Sequence, residues 1–227
     1  MLNHITIGIR SALAFVIPPI VGMVLFVVCL PLGRRRATNL GTAVVCWLGL
    51  GLAGIRLQVD GESHLLGRRP AIFVINHQSG TDPIIVASLV RRDMVAIGKH
   101  ELQFHPLLGP LMRMFGTVFV KREQGLGPKV LAPVLPALAA GDAVVLAAEG
   151  RRSRDGRLQP FKSGALWLAQ QSGAPLIPVV LHNSGEVLPA QGLLMKPGTV
   201  RITVLSPQPA TLTTEQLRQV FVDALEA

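Results

Sequence analysis

The sequence predicts an α/β fold carrying an apolar, helical N-terminal appendage, and three observations predict it. From residue 71 onward, short β-prone runs alternate with stretches of helical periodicity. Before residue 60, two long uncharged runs dominate. A length of 227 residues accommodates one core of α/β size plus an appendage. The chain therefore divides into a membrane-associated helical motif over 1–60 and an α/β domain over 61–227.

The run from Ser11 to Gly33 holds no charge and is bracketed by Arg10 and Arg34-Arg35-Arg36. At about 1.5 Å per residue, it is long enough to cross a hydrocarbon core. Pro18-Pro19 predicts a kink or break inside it. A cleaved signal peptide is disfavoured, because no small-x-small site precedes the arginines. Leu25-Phe26-Val27-Val28, ahead of Cys29, also lacks the small residues of a lipoprotein site. The second run, Ala37 to Ile55, is shorter and rich in glycine. Gly49 to Gly54 fits G-x-G-x-x-G, yet no strand pattern precedes it, so those glycines are read as helix-packing residues. Arg56 to Pro70 reads as a polar connector.

Ala71 to Ile75 is five β-prone residues, a buried strand. Helix is then expected over Pro83–Val90, Leu107–Phe115, Pro128–Ala139 and Ser163–Gln171. Strands are expected over Met94–Gly98, Thr117–Val120, Ala143–Ala147, Leu176–Leu181 and Thr199–Leu205. A last helix opens at Thr213, where Gln216 completes a capping-box spacing.

Composition narrows the partners. Hydrophobic residues make up 49% and charged residues only 15%, and a formal charge of +9 favours anionic partners. Tyrosine is absent and aromatics total 4%, so there is no stacking platform for single-stranded nucleic acid. An anionic membrane surface is the expected partner, and nucleic acid is not. Cys29 and Cys46 both sit in the apolar runs, with neither a disulfide framework nor a zinc spacing. Thiol chemistry is thereby excluded from the α/β part of the chain.

The stretch Asn76-His77-Gln78-Ser79-Gly80-Thr81-Asp82 follows the first strand of the α/β part. Asp82-Pro83 reads as a helix start, with Asp82 at the N-cap and Pro83 at the first helical position. The turn can fold the acid back beside the histidine, pairing a general base with the group that orients it. The simpler alternative is that Asp82 only caps its helix and His77 only satisfies a turn. Two other strand ends deliver Lys121-Arg122 and Glu149 to Arg152. Ligand sites of α/β sheets gather at such carboxyl ends, and arginine's planar fork suits phosphate oxygens. Competing chemistries fail on spacing. His100 and His105 are one residue too far apart for a helical zinc pair. No Gly-x-Ser-x-Gly elbow and no Gly-rich loop ending in Gly-Lys-Ser/Thr occurs.

Four blocks, taken in order, resemble the lysophosphatidate acyltransferase family, the glycerolipid acyltransferases with an N-H-x4-D signature. They are Asn76 to Asp82; Gly116 to Arg122, preceded by Gly98 to Leu102 and Pro106 to Gly109; Glu149 to Gly156, followed by Pro160 to Ala165; and Ala174 to Val179. The resemblance implies a mixed sheet flanked by helices, with an N-terminal helical membrane motif. It also implies acyl transfer from acyl-CoA or acyl carrier protein to the free hydroxyl of a lysophospholipid, foremost lysophosphatidate. His77 would be the base and Asp82 its orienter. Arg122, Glu149, Gly150, Arg151 and Arg152 would hold the acceptor. No metal and no cofactor beyond the thioester co-substrate would be needed.

The departure lies in the third block, where Arg151 stands in place of the family's threonine and Ala147-Ala148 in place of Phe-Pro. It leaves another lysolipid, such as a lyso-ornithine lipid, as the alternative acceptor. A non-catalytic lipid-binding module is the remaining alternative. The thioester donors place the catalytic part at the cytoplasmic face of the cell (inner) membrane. The same side suits Arg34–Arg36 by the positive-inside rule. Both hold together only if the two apolar runs do not each span, which predicts a hairpin or re-entrant segment broken at Pro18-Pro19.

Overall fold

A seven-stranded sheet organises the chain in a computed structural model that describes residues 2–65, 69–106, 108–121, 127–153 and 155–227. Its strands are β1 (Ile55–Asp60), β2 (Ala71–Ile75), β3 (Met94–Lys99), β4 (Val118–Val120), β5 (Ala143–Ala147), β6 (Leu176–Leu181) and β7 (Gly198–Val204). The helices are α1 (Leu2–Cys29), α2 (Arg34–Ala53), α3 (Asp82–Val90), α4 (Leu108–Met114), α5 (Pro128–Leu131), α6 (Leu135–Ala139), α7 (Gly164–Ser172), α8 (Ser184–Val187) and α9 (Thr214–Glu226). The strand order is β1-β7-β6-β2-β5-β3-β4. Every pairing is parallel except β6 with β7, so the sheet is mixed.

β2 lies at the centre, between β5 and β6, and all five of its residues are buried. A strand covered on both faces needs apolar side chains at every position, hence its continuous hydrophobic run. Alternate residues feed opposite layers. Ala71, Phe73 and Ile75 join the cluster with Leu50 and Ala53 of α2 and Ile85 and Val86 of α3. Ile72 and Val74 join Leu131, Val134, Leu168 and Phe221 on the other face. The layered α/β arrangement is the one the sequence predicts.

Three local readings change. Ile55–Asp60, the end of the expected 1–60 motif and the start of the stretch taken as a connector, is edge strand β1 of the α/β sheet, paired in parallel with β7 over six positions. Its outward residues Arg56, Gln58 and Asp60 are exposed, which gives an edge strand the polarity of a linker. The expected helix over 128–139 is interrupted by a 3-10 turn at Ala132–Val134, because Pro133 and Pro136 cannot donate backbone hydrogen bonds. α1 runs unbroken through Pro18 and Pro19, and the chain reverses instead at Leu30–Gly33. Both prolines are buried, and Pro18 packs over Gly49 of α2. Glycines also let the two helices approach near the turn, where a methyl on Gly22 would collide with Val45.

The resulting hairpin is fastened to the α/β domain at both ends. Arg35 Nε lies 2.5 Å from Asp93 and Nη2 lies 2.8 Å from Asp142, just before β3 and β5 begin. Asn39 exchanges two hydrogen bonds with Asp93. At the other end, Ser11 accepts from the Met195 N–H at 2.8 Å, while Arg10 donates to the Leu52 carbonyl and ties α1 to α2. Arg35, just after the turn of the hairpin, is thus in direct contact with the α/β domain. Among the described residues, His4–Leu32 is the one stretch of helix long and apolar enough to cross a membrane by length and composition.

The final helix behaves as its sequence predicts. Thr213 Oγ1 accepts from the Gln216 N–H while Gln216 Oε1 accepts from the Thr213 N–H. Thr213→Ala is expected to cost about 1 kcal/mol, the usual value of an N-cap. A shift of the denaturant midpoint at unchanged slope measures it.

Candidate active site

The site begins where β2 stops. Asn76 is fully buried at its end and carries the β2–β6 pairing one step further with its side chain. Its Nδ2 donates to the Leu181 carbonyl and its Oδ1 accepts from the Leu181 N–H, both at 2.8 Å. With that anchor set, His77 emerges at the carboxyl ends of the central strands.

His77 is held at three points. Its N–H donates to Glu149 Oε1 at 2.8 Å, and its carbonyl accepts from the Ser153 N–H at 2.7 Å. Its Nδ1 lies 2.7 Å from Asp82 Oδ2. The imidazole remains 13% exposed while the Asp82 side chain is fully buried. Asp82 Oδ2 also accepts from the N–H groups of Gln78 and Ser79, each at 2.8 Å. An acceptor with those partners requires the proton on His77 Nδ1, which leaves the Nε2 lone pair free. The pair has the geometry of a general base and its orienter.

The start of α3 differs from the sequence reading by one residue. Thr81 is the N-cap and Asp82 the first helical residue, with Pro83 second. Thr81 makes no side-chain cap bond; its hydroxyl lies 2.8 Å from Ser79 Oγ. Ser79 Oγ in turn donates to the Leu188 carbonyl at 2.7 Å. The Asp82 carboxylate is thus committed to the 77–79 turn, so the reading in which it only caps a helix does not hold.

The second wall of the site is the turn after β5. Parallel pairing sets Ile75 beside Ala147, so the chain segments leaving the two strands meet. Glu149 is 3% exposed, and its Oε2 accepts from the Gln159 N–H at 3.1 Å. Burial pushes its carboxyl above the usual carboxylate range, opposed by the two backbone hydrogen bonds and the nearby imidazole. Gly150 takes φ +74°, a left-handed conformation that favours glycine. Arg151 and Arg152 are both exposed. The Arg152 guanidinium lies over Gly80, where a Cβ would stand 3.5 Å from Nη1. Neither arginine makes an ion pair among the described residues. Arg122 lies outside the described residues, just beyond β4. Among the described residues, no group of three or more His, Cys, Asp or Glu could hold a metal ion.

The structure thus gathers His77, Asp82, Glu149, Gly150 and Arg152 around two neighbouring strand ends. Sequence reasoning gave no role to Asn76, Ser79, Ser153 or Leu188. Asn76 had a usable signal, a polar residue directly after a buried strand. The other three act through contacts that no local pattern encodes.

The chain resembles known proteins in sequence and in fold. Residues 56–182 match the family model described as Acyltransferase. The 1-acyl-sn-glycerol-3-phosphate acyltransferase alpha of Ovis aries is 30% identical over 212 residues, covering 90% of this chain and 72% of that protein. The 1-acyl-sn-glycerol-3-phosphate acyltransferase of Limnanthes douglasii is 29% identical, covering 85% of this chain and 64% of that protein. The crystal structure of the 1-acyl-sn-glycerophosphate acyltransferase PlsC from Thermotoga maritima superposes with a TM-score of 0.81 over 99% of this chain and 94% of that one. Sequence identity to it is 21%, so that likeness speaks for the fold.

Proposed function

The chain belongs to the acyltransferase family, and we propose that it moves a fatty acyl group from a thioester to the free hydroxyl of lysophosphatidate, giving phosphatidate. The observation that carries this reading is the His77–Asp82 pair, a base with a buried orienter and a free Nε2. In the proposed reaction, Nε2 takes the proton of the glycerol hydroxyl as its oxygen attacks the thioester carbonyl carbon. The C–O bond forms, the C–S bond breaks, and the imidazolium returns the proton to the departing thiolate. Asp82 stabilises the imidazolium in between. Acyl-CoA or acyl carrier protein supplies the thioester. No step uses a metal or a covalent acyl-enzyme.

Arg152, next to Gly80, is suited to the acceptor phosphate, with Arg122 and Arg151 as further cations. Two adjacent guanidiniums repel unless an anion lies between them or one turns to solvent. Arg151 is free to approach an anionic headgroup, which also keeps a lyso-ornithine acceptor in view as the second reading. Arg151→Thr is expected to raise the KM for the lysolipid about ten- to a hundredfold, the value of one charge-assisted hydrogen bond. The KM for the acyl donor should stay nearly constant. Equal kinetics across acceptors would assign Arg151 to the solvated surface.

The acceptor reaches this site from a membrane. Ile5, Ile9, Leu13, Ile20, Val24 and Val27 recur along α1 at helical spacing, and all are exposed. Such a face suits lipid, and the basic surplus suits anionic headgroups. We place the catalytic domain at the cytoplasmic face of the inner membrane, with the α1–α2 hairpin as the membrane-associated motif. Purified protein given labelled acyl-CoA and a panel of lysolipids tests the assignment. Transfer to lysophosphatidate above the other acceptors supports it, and transfer to none retires it.

A further inference from the structure

We propose that Glu149 is a positioning residue for His77 and makes no contact with the acceptor, an assignment that rests on the acyl-transfer reading above. The sequence resemblance makes Glu149 an acceptor ligand, but the local chemistry leads elsewhere. Its side chain is buried, and both carboxylate oxygens are committed to backbone donors, Oε1 to His77 and Oε2 to Gln159. A carboxylate turned toward an anionic acceptor would also repel the phosphate that Arg152 is placed to attract.

What Glu149 does hold is the base. The turn after β5 takes both backbone polar groups of His77, the N–H through Glu149 and the carbonyl through Ser153. Asp82 fixes only the imidazole. Glu149 and Ser153 thus set where His77 stands, and Asp82 sets how its ring is turned. Gln159, on the far side of Glu149, ties the same carboxylate to the chain that runs into α7. The base is consequently braced against two segments distant in sequence. Arg152 belongs to the same turn, so one loop presents the acceptor cation and holds the base beside it.

Steady-state kinetics of Glu149→Gln and Glu149→Asp in the full-length chain, with labelled acyl-CoA and lysophosphatidate, test the assignment. The amide can accept only one of the two N–H groups, and the shorter acid cannot span both. Either change should lower kcat by about 100-fold, the cost of a misplaced reacting group. The KM for lysophosphatidate should stay within about twofold. Arg152→Lys, run alongside, should raise that KM instead. Amide hydrogen exchange at His77 supplies a readout free of turnover: it should accelerate in Glu149→Ala, which keeps no acceptor for that N–H, while thermal unfolding stays cooperative. A raised KM with kcat preserved would make Glu149 an acceptor ligand and overturn the proposal. So would unchanged exchange at His77 in Glu149→Ala. A parent protein inactive on every lysolipid would retire the acyl-transfer reading, whereas the exchange result would still decide what Glu149 holds.

Discussion

Replacing His77 by alanine is expected to lower acyl transfer by about 10²–10⁴-fold, the usual contribution of a general base. In the proposed reaction the imidazole serves the attacking hydroxyl and leaves the binding of the thioester untouched, so the loss should appear in kcat. The fold should survive. The imidazole is partly exposed, and the hydrogen bonds that organise the turn come from the His77 backbone, which alanine retains. Circular dichroism and the thermal midpoint of His77→Ala check that half of the expectation. Turnover at the parent rate would sink the mechanism.

Asp82 yields the second large effect, and its two substitutions should separate. In Asp82→Ala the N–H groups of Gln78 and Ser79 lose their acceptor inside the protein. Each buried donor left unpaired costs about 1–3 kcal/mol, so stability should fall along with activity. Asp82→Asn can still place an amide oxygen where Oδ2 lies and keep the turn. What it removes is the charge that stabilises the imidazolium in the proposed reaction. Its stability should remain close to the parent, while kcat falls on the order of 10²–10⁴-fold. Chemical denaturation and kinetics of the same two preparations decide the matter. Parental activity in Asp82→Asn would show that the carboxylate only braces the turn.

The contrast between these residues explains what the sequence could reveal. His77 and Asp82 are five positions apart on one turn, so their meeting is a local event that spacing can foretell. The buried strands were equally legible, since β2, β5 and β6 carry continuous apolar runs with the same ends in sequence and structure. Glu149 was legible as part of the site but not in what it holds. Its tie to His77 crosses 72 residues and depends on the parallel register of β2 with β5. β1 escaped because an edge strand with three exposed polar residues resembles a linker. Pro18 and Pro19 are both buried within an unbroken α1, with the Pro18 ring over Gly49 of α2, a tertiary setting that no rule about proline in an isolated helix contains. Arg122 stays an expectation from the sequence, outside the described residues.

The central claim is that this chain uses the free Nε2 of His77 to acylate the hydroxyl of lysophosphatidate. Product formation by the purified protein, given labelled acyl-CoA and lysophosphatidate, with His77→Ala in parallel, tests it most directly. The account predicts labelled phosphatidate from the parent and a loss of about 10²–10⁴-fold from the variant at equal folded protein. Labelled phosphatidate at equal rates from both, or none from the parent, would contradict it.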